Sequence, residues 1–190
     1  MTATSMIITL IGYRGTGKSS VAPALARSLE WDAVDADVEL ERRAGRTIRE
    51  IFETGGETEF RRWERDTLIQ LFARSRLVIA AGGGAILNAD TRSDMRRAGP
   101  VIWLQADVRT IAERLERDAA TEQRRPSLTG RSIVEEIEDV LSRREPLYRE
   151  TADIIIRTDN RTVSEIVVGI LEQLPVHLVP SSAARDGESP

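Results

Sequence analysis

Short apolar runs alternate with stretches of helical period along this chain. Residues 6–11 (MIITLI) form an unbroken apolar, β-branched run that stops at Gly12, the signature of a strand buried on both faces of a parallel sheet. From Lys18 the pattern turns helical, with Val21, Leu25 and Leu29 four residues apart. Pro23 falls in about the first turn, where its missing N–H is tolerable. Ala33 and Val34 predict a brief second strand running into Asp35, followed by a helix over residues 38–43. A long helix is predicted over residues 57–72, its apolar faces supplied by Phe60, Trp63, Leu68, Leu71 and Phe72. Residues 77–80 and 101–104 read as further buried strands; the first runs on to Gly82-Gly83-Gly84 and the second is entered from a Gly99-Pro100 turn. Helices over residues 107–117 and 132–144, a strand over 153–156 and a last helix over 163–174 complete the set.

Strands alternating with helices predict an α/β fold, a parallel sheet covered on both sides. The chain shows no internal repeat and no second domain, so residues 1–178 are expected to form one domain. Residues 119–129 lack helical periodicity and carry Arg124, Arg125 and Pro126, which predicts a mobile loop. The stretch from about 179 to 190 is small, polar and proline-bounded, and is expected to be a disordered tail.

Composition narrows the function classes. A net charge of -4 over 190 residues supplies no general basic field, so no nucleic-acid partner is expected. With no cysteine there is no disulfide, thiolate nucleophile or Cys-ligated zinc, which fits a reducing cytoplasm. The single histidine, His177, lies among hydrophobic residues near the C-terminus, which argues against histidine-based triads. No apolar run approaches the ~20 residues needed to span a bilayer, and the N-terminus lacks a signal-peptide pattern. A cytoplasmic chain without a membrane partner is the expectation.

The stretch Gly12-Tyr13-Arg14-Gly15-Thr16-Gly17-Lys18-Ser19 matches G-x-x-x-x-G-K-[ST], directly after a predicted strand and opening a predicted helix. Glycines let the backbone turn tightly and aim successive N–H groups at phosphate oxygens, while the helix adds its positive N-terminal end. Lys18 is suited to the β- and γ-phosphates and the Ser19 hydroxyl to a magnesium ion. An ordinary glycine-rich turn is the competing reading, and the context argues against it.

After the second strand, Asp35 and Asp37 stand two residues apart. In an extended segment both would face one cleft, outside the carboxyl ends of the strands. Asp35 would hold magnesium through water, and Asp37 would bind or deprotonate an attacking hydroxyl. Alternatively, Asp37 merely caps the following helix. Arg61 shares a helical stripe with Glu64, Leu68 and Phe72, with Glu64 one turn along to orient it. Arg62 and Asp66 make an i, i+4 pair on another face that reads as solvated. Ile133, Ile137, Val140 and Leu141 define an inward face that Arg144 continues and Arg143 leaves. An arginine on such a face needs an anionic partner, either a substrate carboxylate or a carboxylate of the protein. Gly82-Gly83-Gly84 marks either close backbone approach to a ligand or a flexible turn. Arg124 and Arg125 are either a solvated pair or a source of a cation for the γ-phosphate.

In order and spacing, these elements resemble the shikimate kinase family, from about residue 7 to residue 174. The carriers are GYRGTGKS at residues 12–19, DAD at 35–37, GRTIREIFETGGETEFRRWE at 45–64, GGGA at 82–85, RRPSL at 124–128 and RREPLYRE at 143–150. The resemblance implies a three-layer α/β/α P-loop fold like that of nucleoside-monophosphate kinases, its five-stranded parallel sheet ordered 2-3-1-4-5. It also implies phosphorylation of shikimate at the 3-hydroxyl by MgATP, in a monomer. By the same resemblance, Gly12, Arg14, Gly15, Thr16, Gly17, Lys18, Ser19 and Ser20 would bind ATP, with Arg114 near the adenine. Ser19 and Asp35 would hold the metal, and Arg125 would act on ATP from a lid over residues 115–129. Asp37, Arg61, Gly82, Gly83, Gly84 and Arg144 would bind shikimate, with residues 35–64 as the binding region. Lys18, Asp37 and Arg125 are the implied catalytic set. The sequence departs from the family pattern in reading Arg-Pro-Ser-Leu at 125–128 in place of Arg-Pro-Leu-Leu, and in a longer stretch over 115–123.

Two other functions fit parts of the pattern. A related kinase, such as gluconate kinase, shares the phosphate loop and an acidic residue after the second strand. A non-catalytic nucleotide-binding regulator is the other, but it predicts loss of Lys18, Ser19 or an aspartate, and all are present.

Overall fold

Parallel pairing of five short strands builds one sheet in the order β2-β3-β1-β4-β5, the order that the family resemblance implies. In the computed structural model, residues 6–117 and 132–180 are described. The strands are β1 (Ile7–Ile11), β2 (Asp32–Asp35), β3 (Leu77–Ala80), β4 (Val101–Gln105) and β5 (Ile154–Arg157). The helices are α1 (Lys18–Leu29), α2 (Ala36–Ala44), α3 (Ile48–Phe72), α4 (Ala89–Ala98), α5 (Val108–Arg117), α6 (Ile133–Thr151) and α7 (Val163–Leu171).

Every residue of β1 is buried, because helices cover both faces of the sheet. Alternate side chains divide into two cores. Ile8 and Leu10 pack with Val21, Leu25 and Leu29 of α1 and Ile166 and Ile170 of α7. Ile7 and Ile11 face the other way, onto Leu68 and Leu71 of α3, Met95 of α4 and Tyr148 of α6. Each fully buried Leu or Ile side chain contributes about 1.5–3 kcal/mol, so these two layers fix the helices against the sheet.

Several helices depart from the sequence-based expectation. The helix expected from residue 57 begins at Ile48, capped by Thr47 in a capping box with Glu50. It breaks at Gly56 (φ 66, ψ -167), where the helix kinks before resuming. The helix expected to stop at Arg144 continues to Thr151 with Pro146 inside it. A proline removes one hydrogen bond, and tertiary packing of the following turn, where Tyr148 is fully buried, outweighs that loss. Helix α4 has no counterpart in the apolar pattern, since its sequence ADTRSDMRRA offers Met95 as its one large apolar residue. Asn88 caps it, accepting from the Thr91 N–H at 2.9 Å. The last helix ends at Leu171, short of the expected residue 174.

The expected lid stretch after residue 117 and the tail beyond residue 180 lie outside the described residues. Among the described residues, no helix is long and apolar enough to cross a membrane. His177 is exposed.

The Gly56 conformation lies in a region of backbone space open essentially to glycine alone, and a Cβ there would meet nothing within 4 Å. Gly56→Ala therefore loses stability through backbone strain only, by roughly 1–3 kcal/mol. Urea unfolding checks this; an unchanged midpoint would contradict the kink.

Candidate active site

Parallel strands bring their carboxyl ends to one edge of the sheet, and β1, β2 and β3 deliver the phosphate loop, α2 and the glycine triplet to that edge. Because Leu10 pairs with Ala80, the loops after β1 and β3 leave side by side. Gly12 starts the phosphate loop at φ 140, where a Cβ would stand 2.4 Å from the Leu104 carbonyl oxygen, so only glycine fits. Thr16 is buried and its hydroxyl donates to the Tyr13 carbonyl at 2.8 Å, bracing the turn. The Lys18 ammonium donates to the carbonyls of Gly12 and Tyr13, both at 2.8 Å, so its charge lies over the loop. Ser20 is exposed on the first turn of α1, its N–H donating to the Gly17 carbonyl at 3.1 Å.

The two aspartates reach this edge by a different geometry from the extended one expected. Asp35 ends β2 and is itself the cap of α2: its Oδ1 accepts from the N–H groups of Asp37 and Val38 at 3.0 and 3.4 Å. Asp37 is therefore not the cap but a first-turn residue of α2, and its carboxylate lies beside Gly82, just past β3. The other Asp35 oxygen accepts from the Ser19 hydroxyl at 2.6 Å. Among the described residues no cluster of three or more His, Cys, Asp or Glu side chains could hold a metal. The Ser19–Asp35 pair fits a hard cation that keeps several waters and takes its remaining ligands from phosphate.

Gly82, Gly83 and Gly84 form the hub of the site. A Cβ on Gly82 would stand 2.8 Å from Asp37 Oδ1 and 2.9 Å from Glu64 Oε1. One on Gly84 would stand 2.5 and 2.8 Å from the two terminal nitrogens of Arg61. Gly83 lies against the phosphate loop, its Cβ position 3.3 Å from the Gly12 carbonyl oxygen. Its own carbonyl accepts from Arg144 Nη1 at 3.1 Å and from the Tyr148 hydroxyl at 2.6 Å. Asp37, Arg61 and Arg144, from three separate helices, thus surround one short glycine segment that also touches the nucleotide-type loop.

Arg61 is half-buried and held by two carboxylates. Glu64, itself buried, accepts from Nη1 at 2.7 Å, and Glu57 accepts from Nε and Nη2 at 3.2 and 3.0 Å. Burial alone would lower the Arg61 pKa, but the charge and hydrogen bonds of Glu64, then those of Glu57, outweigh it and raise the value. Glu57 and Tyr148 are not among the sequence-based candidates. Each stands four residues from a candidate arginine, and that spacing is the signal that points to them.

Of the remaining candidates, Arg14 lies in the phosphate loop and Arg114 against it. Arg14 pairs with Glu136 of α6 at 3.0 Å. Arg114 donates to the Gly15 carbonyl at 3.2 Å and to Thr158 at 3.0 and 2.7 Å, joining α5, the phosphate loop and the turn after β5. Arg125 lies outside the described residues. Arg143 is exposed and pairs with Asp139, whereas Arg144 is half-buried, as their helix faces predict. Arg62 and Asp66 are both exposed.

A phosphate loop after β1, an acidic pair after β2 and the 2-3-1-4-5 sheet define the class as a P-loop phosphotransferase. The family model for shikimate kinase matches residues 14–175. A shikimate kinase of Rhodopirellula baltica is 43% identical over 87% of this chain and 89% of its own length. The solved structure of a shikimate kinase from Acinetobacter baumannii in complex with shikimate superposes with a TM-score of 0.82 at 37% identity, over 89% of this chain and 92% of that one. A gluconokinase from Sinorhizobium meliloti, at 18% identity and TM-score 0.54 over 87% of this chain and 89% of that one, shares the fold alone. The chain belongs to the shikimate kinase family.

Contact between Gly84 and the Arg61 guanidinium gives a direct structural test. Gly84→Ala must push Arg61 aside, because the added methyl would overlap both terminal nitrogens. A crystal structure of the variant is expected to show the guanidinium displaced; an unmoved Arg61 would contradict the hub geometry.

Proposed function

We propose that this chain transfers the γ-phosphoryl group of ATP to the 3-hydroxyl of shikimate, giving shikimate 3-phosphate and ADP on the route to chorismate and the aromatic amino acids. The observation that carries this reading is the arrangement of Arg61, Arg144 and Asp37 about Gly82–84, beside the phosphate loop. Two guanidinium groups suit a carboxylate, which they grip by charge-assisted, directional hydrogen bonds. Asp37, across Gly82 from Glu64, suits the hydroxyl that attacks.

In the reaction, the 3-hydroxyl oxygen forms a bond to the γ-phosphorus as the bond from that phosphorus to the β,γ-bridging oxygen breaks. The hydroxyl proton passes to Asp37, and the leaving oxygen departs with ADP. Lys18 leaves the carbonyls of Gly12 and Tyr13 for the β- and γ-phosphate oxygens, where its charge offsets that of the transition state. Mg²⁺, held by Ser19 and through water by Asp35, would supply further charge neutralisation at the phosphates. Arg125, with Pro126 after it, is assigned to the γ-phosphate from the sequence. Arg114, which donates to the Gly15 and Thr158 carbonyls, is assigned to the adenine from the family resemblance. The absence of cysteine supports a cytoplasmic setting.

A coupled ADP-release assay comparing shikimate with gluconate tests the acceptor. Turnover of shikimate with gluconate at background is expected, and the reverse would overturn the assignment. Arg61→Ala is expected to raise the shikimate KM by roughly 10- to 100-fold, as befits loss of a charged contact, with ATP affinity nearly unchanged. Equal loss toward both substrates would make Arg61 a structural residue. Lys18→Met is expected to abolish turnover while circular dichroism shows the fold retained.

A further inference from the structure

Tyr148 heads the largest fully buried side chains among the described residues, and its ring stacks on Trp103 with centroids 5.6 Å apart. A phenol so placed would be satisfied by any core acceptor, yet its hydroxyl reaches the carbonyl of Gly83, 65 residues away, at 2.6 Å. Arg144, one helical turn before Tyr148 on α6, donates to the same oxygen at 3.1 Å. A carbonyl has two lone pairs, and these two donors account for both.

That oxygen belongs to the central residue of three consecutive glycines. Glycine has no side chain to hold a peptide plane in place, so the orientation of this one depends on what grips it. The peptide is planar and trans, so fixing the Gly83 carbonyl also fixes the Gly84 N–H, which points the opposite way. Gly84 packs against the Arg61 guanidinium, and Gly83 against the Gly12 carbonyl of the phosphate loop. This hydroxyl, together with Arg144, therefore sets a peptide that also packs against Arg61.

We propose that Tyr148 is a positioning residue for the acceptor: its hydroxyl orients the Gly83–Gly84 peptide and, through the shared oxygen, holds Arg144 in register for the substrate carboxylate. This rests on the assignment of Arg144 to that carboxylate. Tyr148→Phe removes the hydroxyl and keeps the ring, its burial and its stack on Trp103. The effect reaches the substrate only through Arg144 and the glycine segment, so it belongs to the acceptor side and not to the nucleotide.

The test is a double-mutant cycle of Tyr148→Phe and Arg144→Ala, with KM for shikimate and for ATP, kcat, and thermal unfolding measured for all four proteins. Tyr148→Phe alone is expected to raise the shikimate KM by roughly three- to ten-fold, the size of one lost hydrogen bond, with the ATP KM within about two-fold. In the Arg144→Ala background the same substitution is expected to raise the shikimate KM by a smaller factor than in the parent, since the arginine it positions is gone and only the route through the glycine segment remains. An unaltered shikimate KM in Tyr148→Phe, or an equal effect in both backgrounds, would overturn the inference while leaving the acceptor assignment standing. An Arg144→Ala protein with unaltered shikimate KM would overturn that assignment itself, and the inference with it. If Tyr148→Phe unfolds at the assay temperature, the hydroxyl is a stability element and the inference also fails.

Discussion

The parallel pairing of β1 with β3, Leu10 opposite Ala80, is the constraint on which this site depends. It is made wholly of buried backbone hydrogen bonds between strands covered on both faces, so it cannot slip without moving apolar side chains out of both cores. Two loops of opposite character leave that pair together. One is a phosphate loop whose glycines expose backbone, and the other is a glycine triplet with no side chains to intervene. Their contact at Gly83 and Gly12 sets the two segments side by side, as transfer from a donor held by one to an acceptor held by the other would require. Proximity of this kind supplies much of what a phosphotransferase needs, because the reaction demands little covalent chemistry from the protein.

Charge placement follows from the same edge. A half-buried guanidinium is unfavourable unless compensated, and the two arginines here are compensated differently. Arg61 has carboxylates on two sides, Glu64 buried and Glu57 exposed, which fix its plane at a net gain that raises its pKa. Arg144 donates to the backbone carbonyl of Gly83, and among the described residues no ion pair to it is seen. The pair thus combines a rigid cation with one that is less neutralised. That combination suits an anionic acceptor, since binding energy is lost when a charged side chain must first be ordered.

Much of this is legible in the residues themselves. The phosphate loop at 12–19 and the choice of Arg144 over Arg143 as the inward arginine follow from local spacing, and the strand order follows from the family resemblance. The departures share a cause. Pro146 argues for ending α6 at Arg144, and the mostly polar sequence of α4 hides that helix from an apolar pattern. Asp37 is as good a cap by residue type as Asp35, which fills the role. In each case, where the segment lies against the sheet settles the outcome, which residue type alone does not.

The amino-acid sequence by itself determined the class of chemistry. A glycine-rich turn before a lysine and serine, acidic residues after a strand and arginines on helical faces are properties of neighbours along the chain, where covalent spacing sets geometry. Only the tertiary structure decided which of these meet. That Glu57 and Glu64 both hold Arg61 within one helix can be inferred from spacing, but the meeting of Asp37, Arg61 and Arg144 about three glycines cannot. Nor can the reach of Tyr148 to Gly83, because contacts across 61 to 65 residues depend on how helices settle on the sheet. Burial and close packing fix that arrangement collectively, and no single stretch of sequence encodes it.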